Sequence, residues 1–347
     1  MKILLTGGTG FIGQRLAKNL AAAGNDVHVL TRKESRFKAS QIFEGVKNIS
    51  FMEGDIADSD VLAHISNASS GIDAIECVVH LAAHYDLEAS FSEAYLMNVL
   101  GTQNLLNLMK KMGKLRHFHY YSTYAVNPVT AGHVGEDFLL EEVDPGLDHY
   151  TRTKNTAEYL VRTQAGPGYQ TIIHRPGVIV GDSQTGKMDK VDGPYYFFSF
   201  VDQLRKLPQA VGLLGYLPLP VKKTSRSQIL PVDVLVDWST RIIQNPKGEG
   251  LRCYHLIPSE PVFTLDFLEA SLGYLGSPIR KIHPVGAPKV FSPVFTALKL
   301  PPEMIFFLNQ EATFDRTNLN RDYPDLPEPD WHDYLPALIK GHKGRPA

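Results

Sequence analysis

Cysteine is scarce: Cys77 and Cys253 are the only two. They stand too far apart in sequence for a metal-type pair, so reduced thiols in a cytoplasmic protein are expected. Long hydrophobic runs are missing as well. None approaches the ~18 residues of a membrane-crossing helix; the longest candidates are 195–200 and 210–221, the second broken by Gly and Pro. No secretory leader is expected ahead of the apolar run that begins at Ile3. An excess of either charge is lacking too. The 35 Lys and Arg nearly balance the 37 Asp and Glu, which removes the usual reason to expect a nucleic acid or an anionic membrane as partner. No metal site is expected. What is ample is apolar content, 43% of 347 residues. That is enough for the core of one large or two ordinary domains and argues against disorder.

The informative stretch is the first one, MKILLTGGTGFIG. Ile3, Leu4 and Leu5 suit a strand buried on both faces of a parallel sheet. Gly7, Gly8 and Gly10 follow Thr6 and allow a sharp turn with close approach of a phosphate to the main chain. Phe11 and Ile12 open a helical periodicity through Leu16 and Leu20, with Gly13 in the first turn, where helix and strand can pack closely. The helix N-terminus offers partial positive charge and free N–H groups to a pyrophosphate. No Gly-Lys-Ser/Thr follows, which excludes a phosphate loop of the nucleotide-hydrolase type. The reading is a dinucleotide site, with a structural Gly-rich turn as the alternative.

Strand and helix then alternate: strands at 27–30, 49–52, 76–81, 117–122 and 170–174, and helices at 91–112 and 147–164, with Asp58 placed to cap a helix through Leu62 and Ile65. This implies an α/β, Rossmann-type doubly wound parallel sheet. After Val180 the texture turns to Gly, Pro and aromatic clusters, and Leu251 to Leu256 reads as a strand returning to the sheet. The expected division is a cofactor domain at 1–180 with 231–256, and a smaller, mostly helical C-terminal substrate domain from 181–230 and 257–347.

The end of the second strand speaks to the cofactor. An acidic residue there would bind ribose hydroxyls and repel a 2′-phosphate, but Thr31, Arg32 and Lys33 occupy it. Arg32, with Lys33 or Arg36, can clamp that phosphate. A charge-assisted bond of ~1.5–3 kcal/mol gives a roughly ten- to hundred-fold preference for NADP(H) over NAD(H); a solvated cationic loop is the alternative. Asp55 and Ile56 are expected beside the adenine. Tyr150 and Lys154 are four residues apart on a helix and share a face, so the Lys charge can lower the phenol pKa. Thr123 ends a strand upstream. Asn98 stands mid-helix, where its amide serves either a water relay or a bond to backbone.

Together these motifs resemble the extended short-chain dehydrogenase/reductase superfamily. The match is carried by Thr6 to Gly13, Asp55-Ile56, Leu81-Ala82-Ala83, Asn98 with Gly101-Thr102, Ser122-Thr123, Tyr150 with Lys154, and Arg175-Pro176-Gly177. The resemblance implies a catalytic tetrad of Asn98, Thr123, Tyr150 and Lys154, with one residue of slippage open between Ser122 and Thr123. It implies cofactor contacts at Leu81, Ala82, Ala83, Pro176, Gly177 and Val178. Within the superfamily, His174 to Gly186 is similar to the fatty acyl-CoA reductase and carrier-protein thioester reductase branch, which includes the mupirocin-pathway reductase group. Leu230-Pro231-Val232-Asp233 and Tyr254-His255-Leu256 add to this. Gly181 to Gly186 is one residue too long for a hydrolase Gly-x-Ser-x-Gly elbow.

The implied activity is NADPH-dependent reduction of an acyl thioester, or of the derived aldehyde or ketone, with Tyr150 as general acid. The acyl substrate is expected on CoA or a carrier protein, and a homodimer is possible through the helices carrying Asn98 and Tyr150. The alternatives are a nucleotide-sugar epimerase or dehydratase, a hydroxysteroid-type dehydrogenase, and an inactive NADP(H)-sensing protein. His84, Tyr85 and Asp86 are expected to border the substrate. Tyr195, Tyr196, Phe197, Phe198 and Phe200 are expected to wall an acyl pocket, with an aromatic core helix as the other reading. Residues 286–310, including Phe306 and Phe307, read as ordinary core, as a cap over an acyl tunnel, or as a face that meets a membrane or carrier protein, with a cap favoured for part of the stretch.

Overall fold

Short apolar runs separated by helices leave each strand no antiparallel neighbour in sequence, and the chain resolves this by parallel pairing. The strands are β1 Lys2–Thr6, β2 Asp26–Thr31, β3 Ile49–Glu53, β4 Cys77–His80, β5 His117–Tyr121, β6 Gln170–Pro176 and β7 Leu251–Leu256. They form one seven-stranded sheet in the order β7-β6-β5-β4-β1-β2-β3. The computed structural model describes residues 1–60, 71–85, 90–165, 168–189, 193–204, 215–285 and 308–344. The order reverses between β1 and β4, and such a switch point opens a crevice at the carboxyl ends of the strands.

Alternation along β1 assigns the two faces of the sheet. Ile3 and Leu5 pack with Leu16, Ala17 and Leu20 of α1 (Phe11–Ala22) and with Val232, Val236 and Ile243 of α7 (Val232–Gln244). Leu4 faces the other way, into a cluster with Leu105, Leu106 and Met109 of α4 (Gly101–Met109) and Ala157 and Val161 of α5 (His149–Gln164). The helix expected over 91–112 is interrupted. Ser90 and Glu93 form a capping box for α3 (Phe91–Tyr95), and a π-helical segment, Leu96–Leu100, separates it from α4. Helix α5 starts two residues later than the expected 147 because Asp148 caps it, its Oδ1 accepting from Thr151 N at 2.7 Å. The helix expected after Asp58 falls on residues 61–70, outside the described ones.

A separate hydrophobic cluster lies beyond Val180. It joins Tyr195, Phe197, Phe198 and Phe200 of α6 (Pro194–Leu204) to Phe267, Leu268 and Leu272 of α8 (Thr264–Leu275), and to Tyr334, Leu335 and Leu338 of α10 (Trp331–Lys343). The segment after residue 257 also reaches the sheet. Leu319 of α9 (Thr317–Asp322) and Leu326 pack with Ile172, Trp238 and Tyr254 at the β7 edge of the sheet, because β7 otherwise leaves that flank uncovered. Glu136 completes this junction: its carboxylate accepts from His255 N at 3.0 Å and from Asn318 N at 2.5 Å. Among the described residues no helix is long and apolar enough to cross a membrane.

Candidate active site

The β1–α1 turn is shaped by backbone contact. Gly7 has φ of +72°, and a Cβ there would lie 2.6 Å from Ala82 N; a Cβ on Gly13 would lie 2.2 Å from Gly7 O. Both positions therefore require glycine. Helix α1 has neither a side-chain cap nor an acidic residue in its first turn, so its free N–H groups suit an anion. This cradle fits a dinucleotide pyrophosphate. Gly7, Gly10, Phe11, Ile12, Gly13, Leu81, Ala83, Tyr150, Lys154, Pro176, Gly177 and Val178 all line one cavity of about 410 Å³. Ala82 contributes through its backbone, donating to Thr6 Oγ1 at 3.2 Å.

The residues expected around the adenosine end lie apart from that lining. Arg32 and Lys33 are exposed where β2 ends. Arg36 sits over the Phe51 ring at 5.2 Å. Asp55 Oδ1 accepts from Ala57 N at 2.9 Å. Ile56 is buried, and its side chain fills the space that a Cβ on Gly101 would take, 2.9 Å from Ile56 Cδ1. The absence of a side chain at Gly101 leaves room for Ile56 to pack there.

Helix α5 brings Tyr150 and Lys154 to the cavity on one face. The Tyr85 ring meets Tyr150 edge-on, with centroids 4.7 Å apart. Lys154 is buried; its Nζ donates to Tyr121 O at 2.6 Å and to the Tyr120 hydroxyl at 3.0 Å. Burial lowers its pKa to about 7, against the opposing charge of Glu158. Ser122 and Thr123 both line the cavity and differ in their partners. Ser122 Oγ donates to Glu158 Oε2 at 2.6 Å. Thr123 Oγ1 only accepts, from Ala125 N at 3.3 Å, so its proton remains available at the cavity wall.

Asn98 and His84 are brought together but not into the cavity lining. Asn98 Oδ1 accepts from His84 N at 2.7 Å, while Nδ2 donates to His84 O at 3.3 Å and to Thr153 Oγ1 at 3.0 Å. The amide thus ties the π segment to α5 and to the chain after β4. His84 takes part in these bonds through its backbone.

Sequence reasoning missed an ion pair beneath the site. Arg175 and Glu158 side chains are both fully buried and meet at 2.6 Å (Nη2–Oε1) and 3.0 Å (Nε–Oε2). Arg162 adds a bond of 2.8 Å to Oε1. Burial alone would raise the Glu158 pKa, but Arg175 chiefly, then Arg162 and Ser122, hold it below the usual carboxylate value. The available signal was helical spacing, since Glu158 repeats the Tyr150–Lys154 interval once more.

Beyond Val178 the cavity continues between Met188, Phe197, Ile229, Phe267, Leu268 and Leu308. Its described lining has Ser227 and Thr264 as polar members on this side and no charged residue. Of the aromatics expected there, Phe197 faces it from α6, and Tyr196 flanks the hydrophobic cluster half-buried. Helical rotation places neighbouring residues about 100° apart, so one residue decides which ring points inward. Asp86, Phe306 and Phe307 lie outside the described residues.

The family model described as Male sterility protein, an NAD-binding domain, matches residues 5–238. The chain belongs to that family. It is thereby a member of the extended short-chain dehydrogenase/reductase superfamily, in the carrier-protein thioester reductase branch. Among curated proteins it is 27% identical over 285 residues to the nonribosomal peptide synthetase asaC of Aspergillus flavus, covering 75% of this chain and 26% of that protein. It is 32% identical over 189 residues to a 3 beta-hydroxysteroid dehydrogenase/Delta 5-->4-isomerase of Mycobacterium tuberculosis, 52% of this chain and 48% of that one. The chain thus spans about a quarter of the synthetase and about half of the dehydrogenase. The terminal R domain of the myxalamid PKS-NRPS pathway superposes with a TM-score of 0.75 at 21% identity, over 99% of this chain and 89% of that one. A UDP-glucuronic acid 4-epimerase of Bacillus cereus gives 0.70 at 20% identity, covering 99% of each. At these identities the two superpositions establish the shared fold. The male sterility family member described here is an enzyme of the NAD(P)-dependent short-chain dehydrogenase/reductase type.

Proposed function

We propose that this protein is an NADPH-dependent reductase of acyl thioesters carried on CoA or a carrier protein. One observation carries the reading: a single cavity runs from the glycine cradle past Thr123, Tyr150 and Lys154 into an uncharged, largely apolar lobe. A nucleotide sugar would bring a diphosphate into a wall with no described cation, whereas an acyl chain is served by Met188, Phe197, Phe267 and Leu268. The synthetase relatives and the similar terminal R domain support a carrier-bound substrate.

A bound dihydronicotinamide supplies the hydride to the carbonyl carbon. The protein's own residues act on the carbonyl oxygen. Thr123 donates a hydrogen bond as charge develops there, and Tyr150 gives up its proton, which yields a hemithioacetal. Breaking its C–S bond releases thiol and leaves an aldehyde. Lys154 holds positive charge beneath Tyr150 and offers its third N–H to the cofactor ribose. Arg32 serves the 2′-phosphate, with Lys33 beside it. The reading keeps a homodimer, through the face on which Leu96, Leu100 and Tyr159 expose large apolar side chains; sedimentation would check it.

The deciding experiment follows NADPH oxidation with acyl-CoA and acyl-pantetheine of increasing chain length, with aldehyde trapped as product. Turnover that improves with chain length is expected. Turnover of UDP-sugars without net NADPH use would replace this reading with the epimerase one. For the cofactor, Arg32→Ala is expected to weaken NADPH binding roughly ten- to a hundred-fold, the value of a charge-assisted bond, and to leave NADH binding nearly unchanged. Equal weakening of both in a fluorescence titration would remove Arg32 from the site.

A further inference from the structure

We infer that Ser227 and Thr264 form a hydroxyl pair that reads an oxygen substituent on the acyl chain, so that the preferred substrates carry a keto or hydroxyl group along that chain. The inference rests on the assignment of the apolar lobe to the acyl chain and narrows its substrate class. Both residues line the lobe. Ser227 Oγ and Thr264 Oγ1 stand 2.9 Å apart, at hydrogen-bond distance. Around them the wall is built from Met188, Phe197, Ile229 and Phe267, which offer no polar side-chain partner of nitrogen or oxygen.

Backbone pairing fixes both hydroxyls. Ser227 belongs to a short strand, Arg226–Ser227, that runs antiparallel to Val262–Phe263. Thr264 opens α8 directly after that second strand, and its N–H donates to Ser225 O at 2.9 Å. Within a helix, a Ser or Thr hydroxyl commonly gives its proton to a carbonyl of the preceding turn. Thr240 does so to Val236 O and Ser271 to Phe267 O, each at 2.7 Å. Thr264 stands at the first helical position, with strand rather than helix before it. Its hydroxyl meets Ser227 instead.

A proton count shows what the pair can still do. Two hydroxyls bring two protons. One proton makes the bond between them, whichever residue donates it. The other has no acceptor among the described residues and is left for an occupant of the lobe. A saturated chain that fills the lobe expels water and sets that O–H against methylene groups, which forfeits a hydrogen bond. A keto oxygen accepts the proton. A chain hydroxyl accepts it too and can return its own proton to a free lone pair of the pair. A chain carboxylate would meet no described cation in this lobe. The chemistry recognised is therefore a neutral oxygen on the chain, in addition to the thioester carbonyl at Thr123 and Tyr150.

The test is calorimetric binding of decanamide, and of a series of oxodecanamides with the ketone moved along the chain, to the full-length protein. At least one oxodecanamide is expected to bind roughly two- to ten-fold more tightly than decanamide, the value of one hydrogen bond. The double variant Ser227→Ala with Thr264→Val keeps the shape of the wall and removes both hydroxyls, and the preference should vanish in it. If that variant does not fold, an isotope-edited infrared spectrum of the wild-type complex carries the test. The ketone stretch should then lie below its position in an alkane solvent. No preferred oxodecanamide (binding by none of them included), a preference that survives in the double variant, or an unshifted ketone band would each overturn the inference. Weaker binding of the thioether S-decyl-pantetheine by the double variant, with no preference among the amides, would give the pair to the pantetheine arm and overturn it as well. Amide binding needs no turnover. Failure to reduce acyl thioesters would strike the reductase reading and leave the oxygen preference to be read by itself.

Discussion

Tyr150→Phe is expected to reduce turnover by ~10²–10⁴-fold, the usual contribution of a general acid, while NADPH binding changes little. The phenol ring that meets Tyr85 edge-on is retained in the variant, so the wall of the cavity is kept and only the proton is removed. Steady-state rates paired with a cofactor titration check this. Ordinary turnover would assign the proton to another group. The pH dependence has a definite sign. Reduction requires the phenol to be protonated and Lys154 to be charged, so the rate should fall as pH rises through the Lys154 pKa. That value is about 7 in this structure, with burial as the main cause. Cofactor ribose accepting the third N–H would favour the ammonium and move the limb upward.

The second large effect concerns stability. Arg175→Met leaves Glu158 fully buried with Arg162 and Ser122 as its remaining partners. Breaking a buried pair from one side costs about 3–5 kcal/mol, which corresponds to a melting-temperature fall on the order of 10 °C for a chain of this size. The double variant Glu158→Leu with Arg175→Met removes both charges and should recover much of the loss. The sign with pH follows from the lowered Glu158 pKa. Its stabilisation is complete above the unfolded value of roughly 4.3 and disappears as pH falls through the folded value. Wild type and Arg175→Met should therefore differ at neutral pH and converge in acid. A difference below ~1 kcal/mol at neutral pH in denaturant titrations would show that Arg162 alone neutralises Glu158. Arg175 also donates to Phe138 O at 2.7 Å and Glu136 O at 3.2 Å. The loop ahead of Tyr150 is thus hung from the same guanidinium, and the variant should lose activity along with stability.

Much of the site was legible because the signals are local. The glycine cradle is a strand, a turn and a helix within thirteen residues, and its backbone demands fall on Gly7 and Gly13 themselves. Tyr150 and Lys154 meet through helical spacing alone, and the seven strands of the sheet follow from short apolar runs. The sequence by itself therefore determined the fold class, the glycine turn and the placing of Tyr150 and Lys154 on one helix beside the cavity. Tertiary structure decided everything that depends on which residue stands opposite. Ser122 and Thr123 are chemically alike and both line the cavity, and Glu158, thirty-six positions away from Ser122, takes the proton of Ser122 and not that of Thr123. Ile56 packs where Gly101 has no side chain. Of the five aromatics of α6, Phe197 is the one at the lobe, and Tyr120 reaches Lys154 from β5. Leu319 and Leu326 leave the C-terminal cluster for the open edge of β7. The physical reason is the same in each case: burial and hydrogen-bond satisfaction are properties of pairs far apart in the chain, so no window of sequence contains both partners.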